Sequence, residues 1–313
     1  MVVTHGSLPR TAASAAAGHA VTVGNFDGVH RGHRAMLERL VHESRKRKLA
    51  SCVLTFEPHP REFFAPQTAP ARLARLREKL ELIAQAGIGR VHVLRFGTPL
   101  AAMAPERFVE EVLVRGLGTR WLLVGNDFRY GARRAGDFAQ LQASGSRSGF
   151  EVMAMPEVKD EGERVSSSAV REALAAGDLA RAERLLGRRY SMSGRVAHGE
   201  RLGRELGFPT ANIVLRRKPP LAGIFVVQAE LEETRQMLRG VASVGRRPTV
   251  KENAPPLLEV HLFDFSGAIY GRHLRVGFLQ KLRDEKKYGD LPALREAIEE
   301  DAARARAWFA ENG

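Results

Sequence analysis

The feature that most constrains this chain is a change of texture near Gly187. Upstream, short apolar runs alternate with segments of helical period. Downstream, clear helices vanish until Pro292, while Gly, Pro and β-branched residues become frequent. Residues 20–23, 52–56, 91–96, 121–124 and 151–155 read as strands. Residues 33–48, 73–85, 105–113 and 138–144 carry helical spacing, with Met36, Leu37, Leu40 and Val41 on one face of the first. Such alternation predicts βαβ units and a parallel sheet covered on both faces. Two short helices, 168–175 and 179–186, follow. Beyond them, residues 190–197, 223–230, 237–244, 257–262 and 273–278 read as short strands separated by turns, which suggests a small antiparallel barrel. A helix over 292–311 closes the chain. The expected organisation is a parallel α/β domain over residues 1–186 and a β-barrel domain with a terminal helix over 187–313.

Length agrees: 313 residues at about 150 per domain suggests two. The single cysteine, Cys52, rules out an internal disulfide framework and points to a cytoplasmic protein. Residues 12–17 are small and Ala-rich, without the apolar stretch of a secretory signal, and read as a poorly ordered lead-in. No apolar run approaches the roughly 18–20 residues of a membrane span, so no membrane partner is expected. The formal charge of +13 is spread evenly. Residues 187–313 carry 22 basic and 16 acidic side chains, a net of +6, and residues 1–186 carry 27 and 20, a net of +7. A nucleic-acid groove normally concentrates its charge, so smaller anions are the better expectation and no nucleic-acid partner is expected. Oligomeric state is left open.

The densest chemical signal is Gly24-Asn25-Phe26-Asp27-Gly28-Val29-His30-Arg31-Gly32-His33, placed between a predicted strand and a predicted helix. Ligands of parallel α/β proteins bind at that sheet edge, and a helix start offers free N–H groups to phosphate. The glycines admit a phosphate chain close to the backbone, and both imidazoles can donate to it. This His-x-Gly-His run resembles the nucleotidyltransferase superfamily, which activates substrates with ATP and releases pyrophosphate. Two more segments fit that likeness. Val124-Gly125-Asn126-Asp127-Phe128-Arg129-Tyr130-Gly131 resembles its nucleotide-side loop. Val165-Ser166-Ser167-Ser168-Ala169-Val170-Arg171 resembles its Ile-Ser-Ser-Thr-x-Ile-Arg signature, with Ser168 in place of Thr. Three serines before a helix are otherwise an ordinary N-cap. Thr55-Phe56-Glu57-Pro58-His59-Pro60 ends the second strand; by the family likeness given below it would lie on the flavin side of the pocket, and otherwise His59 is a turn residue between prolines.

The second signal is Gly199-Glu200-Arg201-Leu202-Gly203-Arg204-Glu205-Leu206-Gly207-Phe208-Pro209-Thr210-Ala211-Asn212. It lacks the Gly-Lys-Ser/Thr ending of a P-loop. In an extended segment, Thr210 and Asn212 share a face, and two neutral oxygens suit Mg²⁺ that also holds ATP oxygens. Gly-x-Pro-Thr-Ala-Asn resembles the riboflavin kinase signature. So do Leu258-Glu259-Val260-His261 and Lys281-Leu282-Arg283-Asp284-Glu285-Lys286-Lys287-Tyr288, with Tyr288 for the usual Phe. Transfer of phosphate to a primary alcohol needs a carboxylate base within reach of the hydroxyl.

From Val21 to the terminal helix the chain resembles the bacterial bifunctional riboflavin kinase/FAD synthetase family. That likeness implies a Rossmann-like nucleotidyltransferase domain followed by a riboflavin kinase barrel. It implies Glu259 as base and His30 and His33 as charge-stabilising residues. Gly24, Phe26, Asp27, Gly28, Gly32, Asp127, Ser167, Ser168, Arg171, Gly199, Gly203, Arg204 and Gly207 would bind ATP or its phosphates. His59, Pro60 and Arg283 would contact flavin, and Thr210 and Asn212 would hold Mg²⁺. Riboflavin, FMN and ATP are the implied substrates, with FMN and FAD as products. A flavin- or RNA-responsive binding protein would leave the company of Glu259, Thr210 and Asn212 with the histidine motif unexplained.

Overall fold

The structure is a computed structural model that describes residues 1–6, 18–198, 206–245 and 255–312. It divides into two compact units, Met1–Pro70 with Ala74–Ser166, and Ala71–Leu73 with Ser167–Gly313.

The first unit contains strands β1 (Val2–His5), β2 (His19–Val23), β3 (Ala50–Glu57), β4 (Arg90–Arg95), β5 (Thr119–Gly125) and β6 (Glu151–Met155). Its helices are α1 (Arg31–Lys46), α2 (Pro60–Phe64), α3 (Leu76–Gln85), α4 (Thr98–Ala101), α5 (Pro105–Arg107) and α6 (Phe138–Ser148). The six strands pair in the order β1-β4-β3-β2-β5-β6, all parallel. Every residue of the central β2 is buried, as expected when helices cover both faces. Alternate residues feed two cores. Val21, Leu54 and Leu122 pack with Phe108 and Leu113, while Ala20, Val53 and Trp121 pack with Leu37 and Ile83. From β2 the chain steps through β3 and β4 to one side and later through β5 and β6 to the other. The order therefore reverses between β2 and β5, where open parallel sheets place ligands. A two-stranded ribbon, β7 (Lys159–Asp160) and β8 (Glu163–Arg164), follows β6.

The second unit holds α7 (Ser167–Ala176), α8 (Leu179–Leu186), and strands β9 (Ser191–Arg195), β10 (Thr210–Val214), β11 (Gly223–Leu231), β12 (Gln236–Gly245), β13 (Leu257–Leu262) and β14 (His273–Arg283). These strands form an antiparallel sheet in the order β10-β13-β12-β11-β14-β9. The two edges meet through a bridge in which the Ala197 N–H donates to the Asn212 carbonyl at 2.7 Å. The sheet thus nearly closes into a barrel, which removes exposed edges. The terminal helix α9 (Leu291–Asn312) buries Ala302, Ala305 and Phe309 against Val226, Val241 and Phe263.

The α/β-plus-barrel architecture matches the sequence reading, with differences in detail. The contact division falls at Ser166/Ser167, upstream of the expected break near Leu186. The reason is packing: α8 lies on β14, and Gly177 makes room for Lys281, whose Cδ would be 2.4 Å from an added Cβ. Strand β1 was not anticipated, because four mostly solvent-facing residues carry too little pattern. The expected lead-in at residues 12–17 lies outside the described residues. The helix expected over 105–113 is one short α segment continuing as a π-helix, Phe108–Gly116.

Candidate active sites

The histidine motif occupies the loop from β2 into α1, at the switch point of the sheet. The loop is strained: Phe26, Val29 and Gly28 have φ of 48°, 40° and 78°. Left-handed backbone is rare for any side chain and rarest for a β-branched one. Burial offsets the strain, because Phe26 and Val29 sit at 0% and 1% exposure in the core beneath the sheet. Phe26, expected at the phosphates, therefore contributes packing through its side chain, its ring 5.0 Å from that of His33.

His30 caps α1. Its Nδ1 accepts the His33 N–H at 3.3 Å, and the two imidazoles stack with centroids 3.7 Å apart. The first turn, Arg31-Gly32-His33-Arg34, carries no acid to oppose an anion. Gly32 is required by close approach, since a Cβ there would lie 3.2 Å from the His30 ring and 3.3 Å from the Val165 carbonyl. Burial, then the neighbouring His30 and Lys79, hold the His33 imidazole well below its ordinary range, so the ring is neutral at pH 7. Its Nδ1 and the Asn25 Oδ1 are buried with no hydrogen-bond partner among the described residues. Such atoms are costly to leave unmet. Asp27, also buried, accepts the Ala74 N–H at 3.2 Å.

Asp127 follows β5 on the other side of the switch point. Its carboxylate is exposed and pairs with Arg164 at 2.7 Å; that hydrogen bond holds it below the usual carboxylate range. His59 caps α2, taking the Arg61 N–H on Nδ1 at 3.1 Å, with Glu62 closing a capping box and Pro60 opening the helix. Beside it stand Phe63, Phe64 and Phe96 in edge-to-face contact, Phe64 being 65% exposed. This aromatic cluster had no sequence signal beyond two adjacent phenylalanines.

In the second unit, Ser167 and Ser168 open α7, with Ser168 exposed. One turn on, the Arg171 guanidinium donates to the carbonyls of Ala71 at 2.6 Å and Ser167 at 3.1 Å.

In the barrel, Asn212 on β10 stands opposite Glu259 on β13, which stands opposite Ser243 on β12. Directly opposed residues of antiparallel strands share a face. Leu258, Val260 and Leu262 face the core, so Glu259 and its row face the other way. Asn212 is 5% exposed; its Nδ2 donates to the Thr210 carbonyl at 3.2 Å, whereas its Oδ1 is buried without a partner among the described residues. Beside the row, Pro209 accepts from His261 Nδ1 at 3.0 Å.

Glu285, quoted within the Lys281–Tyr288 segment but given no role there, reaches back to this row. It accepts the Ser243 hydroxyl at 3.0 Å. Partial burial raises its carboxyl above the ordinary range, the Ser243 hydrogen bond opposes that, and the charge of Glu259 adds to it. A Cβ at Gly245 would meet the Glu285 carboxylate and displace it. Arg283, expected at the flavin, forks onto the buried Asp301 of α9, with Nε to Oδ1 at 2.9 Å. Its guanidinium thereby fastens the terminal helix to β14. Gly207 has open space around it at φ +92°; Gly199, Gly203 and Arg204 lie outside the described residues.

Two family profiles divide the chain as the motifs do. One described as FAD synthetase matches residues 12–169, and one described as riboflavin kinase matches residues 186–309. A protein of Pseudomonas fluorescens named bifunctional riboflavin kinase/FMN adenylyltransferase is 49% identical over 93% of both chains. Its namesake in Escherichia coli K12 is 47% identical, also over 93% of both. Among solved structures, one titled macrolide-efflux protein from Streptococcus pneumoniae is 27% identical with a TM-score of 0.81, covering 98% of this chain and 100% of that one. The shared fold, the two profiles and identity near one half across almost the whole length place this chain in the bifunctional riboflavin kinase/FMN adenylyltransferase family.

Proposed function

We infer that the chain makes FAD from riboflavin in two ATP-dependent steps. The observation that carries this is the separation of the signatures: the stacked histidines stand on the parallel sheet, and the Asn212–Glu259 row stands on the barrel. In the first step Glu259 takes the proton from the terminal hydroxyl of the ribityl chain. That oxygen attacks the γ-phosphorus of ATP, giving FMN and ADP. In the second, an FMN phosphate oxygen attacks the α-phosphorus of another ATP, and pyrophosphate leaves. No side chain need act as nucleophile, because FMN brings its own. The work of the protein is to place donors where charge builds, and His30 and His33 at the start of α1 do so. The hydroxyls of Ser167 and Ser168 and the Arg171 guanidinium are assigned to phosphate oxygens on the family motif.

Thr210 and Asn212 fit Mg²⁺. The unpartnered Asn212 Oδ1 is a hard, neutral oxygen, and Thr210 lies two residues away on the same face of β10. Among the described residues no group of three or more His, Cys, Asp or Glu is placed to hold a metal, so ATP oxygens and water would complete the shell. Bound there, Mg²⁺ would neutralise phosphate charge. We assign residues 1–186 to adenylyl transfer and 187–313 to the kinase, and His59, Pro60 and the aromatic cluster beside them to the flavin ring. A cytoplasmic setting suits Cys52, whose thiol burial raises to about 12, making it inert. Among the described residues no helix is long and apolar enough to cross a membrane.

Incubation with riboflavin, ATP and Mg²⁺, followed by separation of flavins, tests the reading. FMN should appear first and FAD after it, with pyrophosphate released from ATP plus FMN alone. Failure of either product to form would refute the corresponding half.

A further inference from the structure

Lys79 lies in neither signature, yet it is among the most deeply buried large side chains, at 2% exposure. An ammonium is rarely taken out of water without a purpose, because desolvation is expensive. Its surroundings indicate that purpose. Lys79 projects from α3, and its Nζ donates to the Thr55 hydroxyl at 3.3 Å. Thr55, on β3 and fully buried, donates its hydroxyl hydrogen bond to the Asn25 carbonyl at 3.2 Å. The direction of donation is unambiguous, since an ammonium only donates and a carbonyl only accepts. The relay ends on the loop that carries the strained Phe26 and Val29 and leads into His30. The same positive charge acts on His33 and favours its neutral form. Two atoms of that loop and helix start, Asn25 Oδ1 and His33 Nδ1, are buried without partners among the described residues. Two buried carboxylates also belong to these elements. Asp27 sits in the motif, and Glu78 on α3 accepts the Arg75 N–H at 2.7 Å.

We propose that Lys79 is a positioning residue for adenylyl transfer: through Thr55 it holds the Asn25 loop that leads into the histidine pair. This rests on the assignment of FMN adenylylation to the first unit. The lysine reaches the reaction only through these neighbours, so its loss should lower turnover more than it weakens substrate binding.

The experiment uses the full-length protein and compares K79M, T55V and wild type. Pyrophosphate release from ATP and FMN is followed for kcat and KM, and FMN formation from riboflavin is measured on the same samples as a folding control. Wild type must release pyrophosphate; if it does not, the functional assignment fails rather than the role of Lys79. With wild type active, K79M should lose about 30-fold or more in adenylylation kcat, with KM for FMN within about threefold. T55V, which cuts the relay but keeps the charge, should lose about fivefold. Kinase rates should stay within about twofold in both. A K79M protein that melts as wild type does and adenylylates FMN at the wild-type kcat overturns the proposal. Should K79M fail to fold, T55V decides: wild-type kcat in T55V overturns it, and a selective fall supports it.

Discussion

The two units solve the same problem, holding ATP beside a flavin, by opposite means. In the parallel unit the side chains assigned to adenylyl transfer stand on a loop and a helix start at the end of a strand. Their positions depend on backbone that is strained at Phe26 and Val29 and pinned by burying those side chains. In the barrel they stand on the strands themselves. Asn212, Glu259 and Ser243 are aligned by ladder pairing across β10, β13 and β12, with no unusual backbone at these three positions. One site is set by packing under a loop and the other by register. The first is therefore exposed to damage from residues that never touch substrate, and the second to anything that slides a strand.

The sharpest way to break the comparison is to remove one reactive group at a time and read both products. E259A should lose on the order of 10²–10⁴ in FMN formation while making FAD from supplied FMN at about the wild-type rate. Equal loss of both would mean the sites are not separable. H30A should do the reverse, with pyrophosphate release from ATP and FMN down about 10²–10³ and the kinase intact. A third substitution separates holding the fold from holding the flavin. R283A leaves the buried Asp301 carboxylate without its fork, which should destabilise the barrel by about 3 kcal/mol. Thermal melting of that variant should show the drop. An unchanged melt with weakened riboflavin binding would return Arg283 to the flavin.

The smallest effect is in pH. His19, His33 and His92 of the parallel unit are all held below their ordinary value, chiefly by burial. Above about pH 6.5 neither the folded nor the unfolded form protonates them, and they leave stability unchanged. Below that pH the unfolded chain takes up protons that the folded chain refuses, so stability falls as acid is added. Each histidine contributes at most about 1.4 kcal/mol per pH unit. Glu285 in the barrel has the opposite sign, because its raised carboxyl favours the protonated form and acid relieves it. Melting followed by a probe in each unit at pH 7.5 and 5.5 should show the parallel unit losing more than the barrel. Equal shifts would remove the electrostatic contrast between them.

The contrast also explains what was legible in the amino-acid order. The histidine motif is contiguous, so its ten residues could be read as one object, and strand–helix alternation placed it at a sheet edge. Thr210 and Asn212 were legible as a pair because their spacing is local. That Asn212 faces Glu259 was not, because the 46 positions between them are bridged by strand register, which a single sequence does not print. That Glu285, quoted within the Lys281–Tyr288 segment, reaches Ser243 was hidden for the same reason. Lys79 was invisible for another: on a helix of ordinary period a lysine reads as a solvated face, and only the packing of α3 shows it turned inward. Arg283 was read by its motif as a ligand contact, when its nearest demand is the carboxylate of Asp301.

The bridge between Ala197 and Asn212 has a consequence for how the protein comes apart. Asn212 closes the seam with its carbonyl, and its buried side-chain oxygen is the one assigned to the metal. Any local opening that unzips the seam removes that oxygen in the same movement. The Ala197 amide thus becomes a gauge: its hydrogen-exchange rate should report how often the kinase half is transiently unable to bind, and ligands that use Asn212 should slow that exchange before they alter global melting.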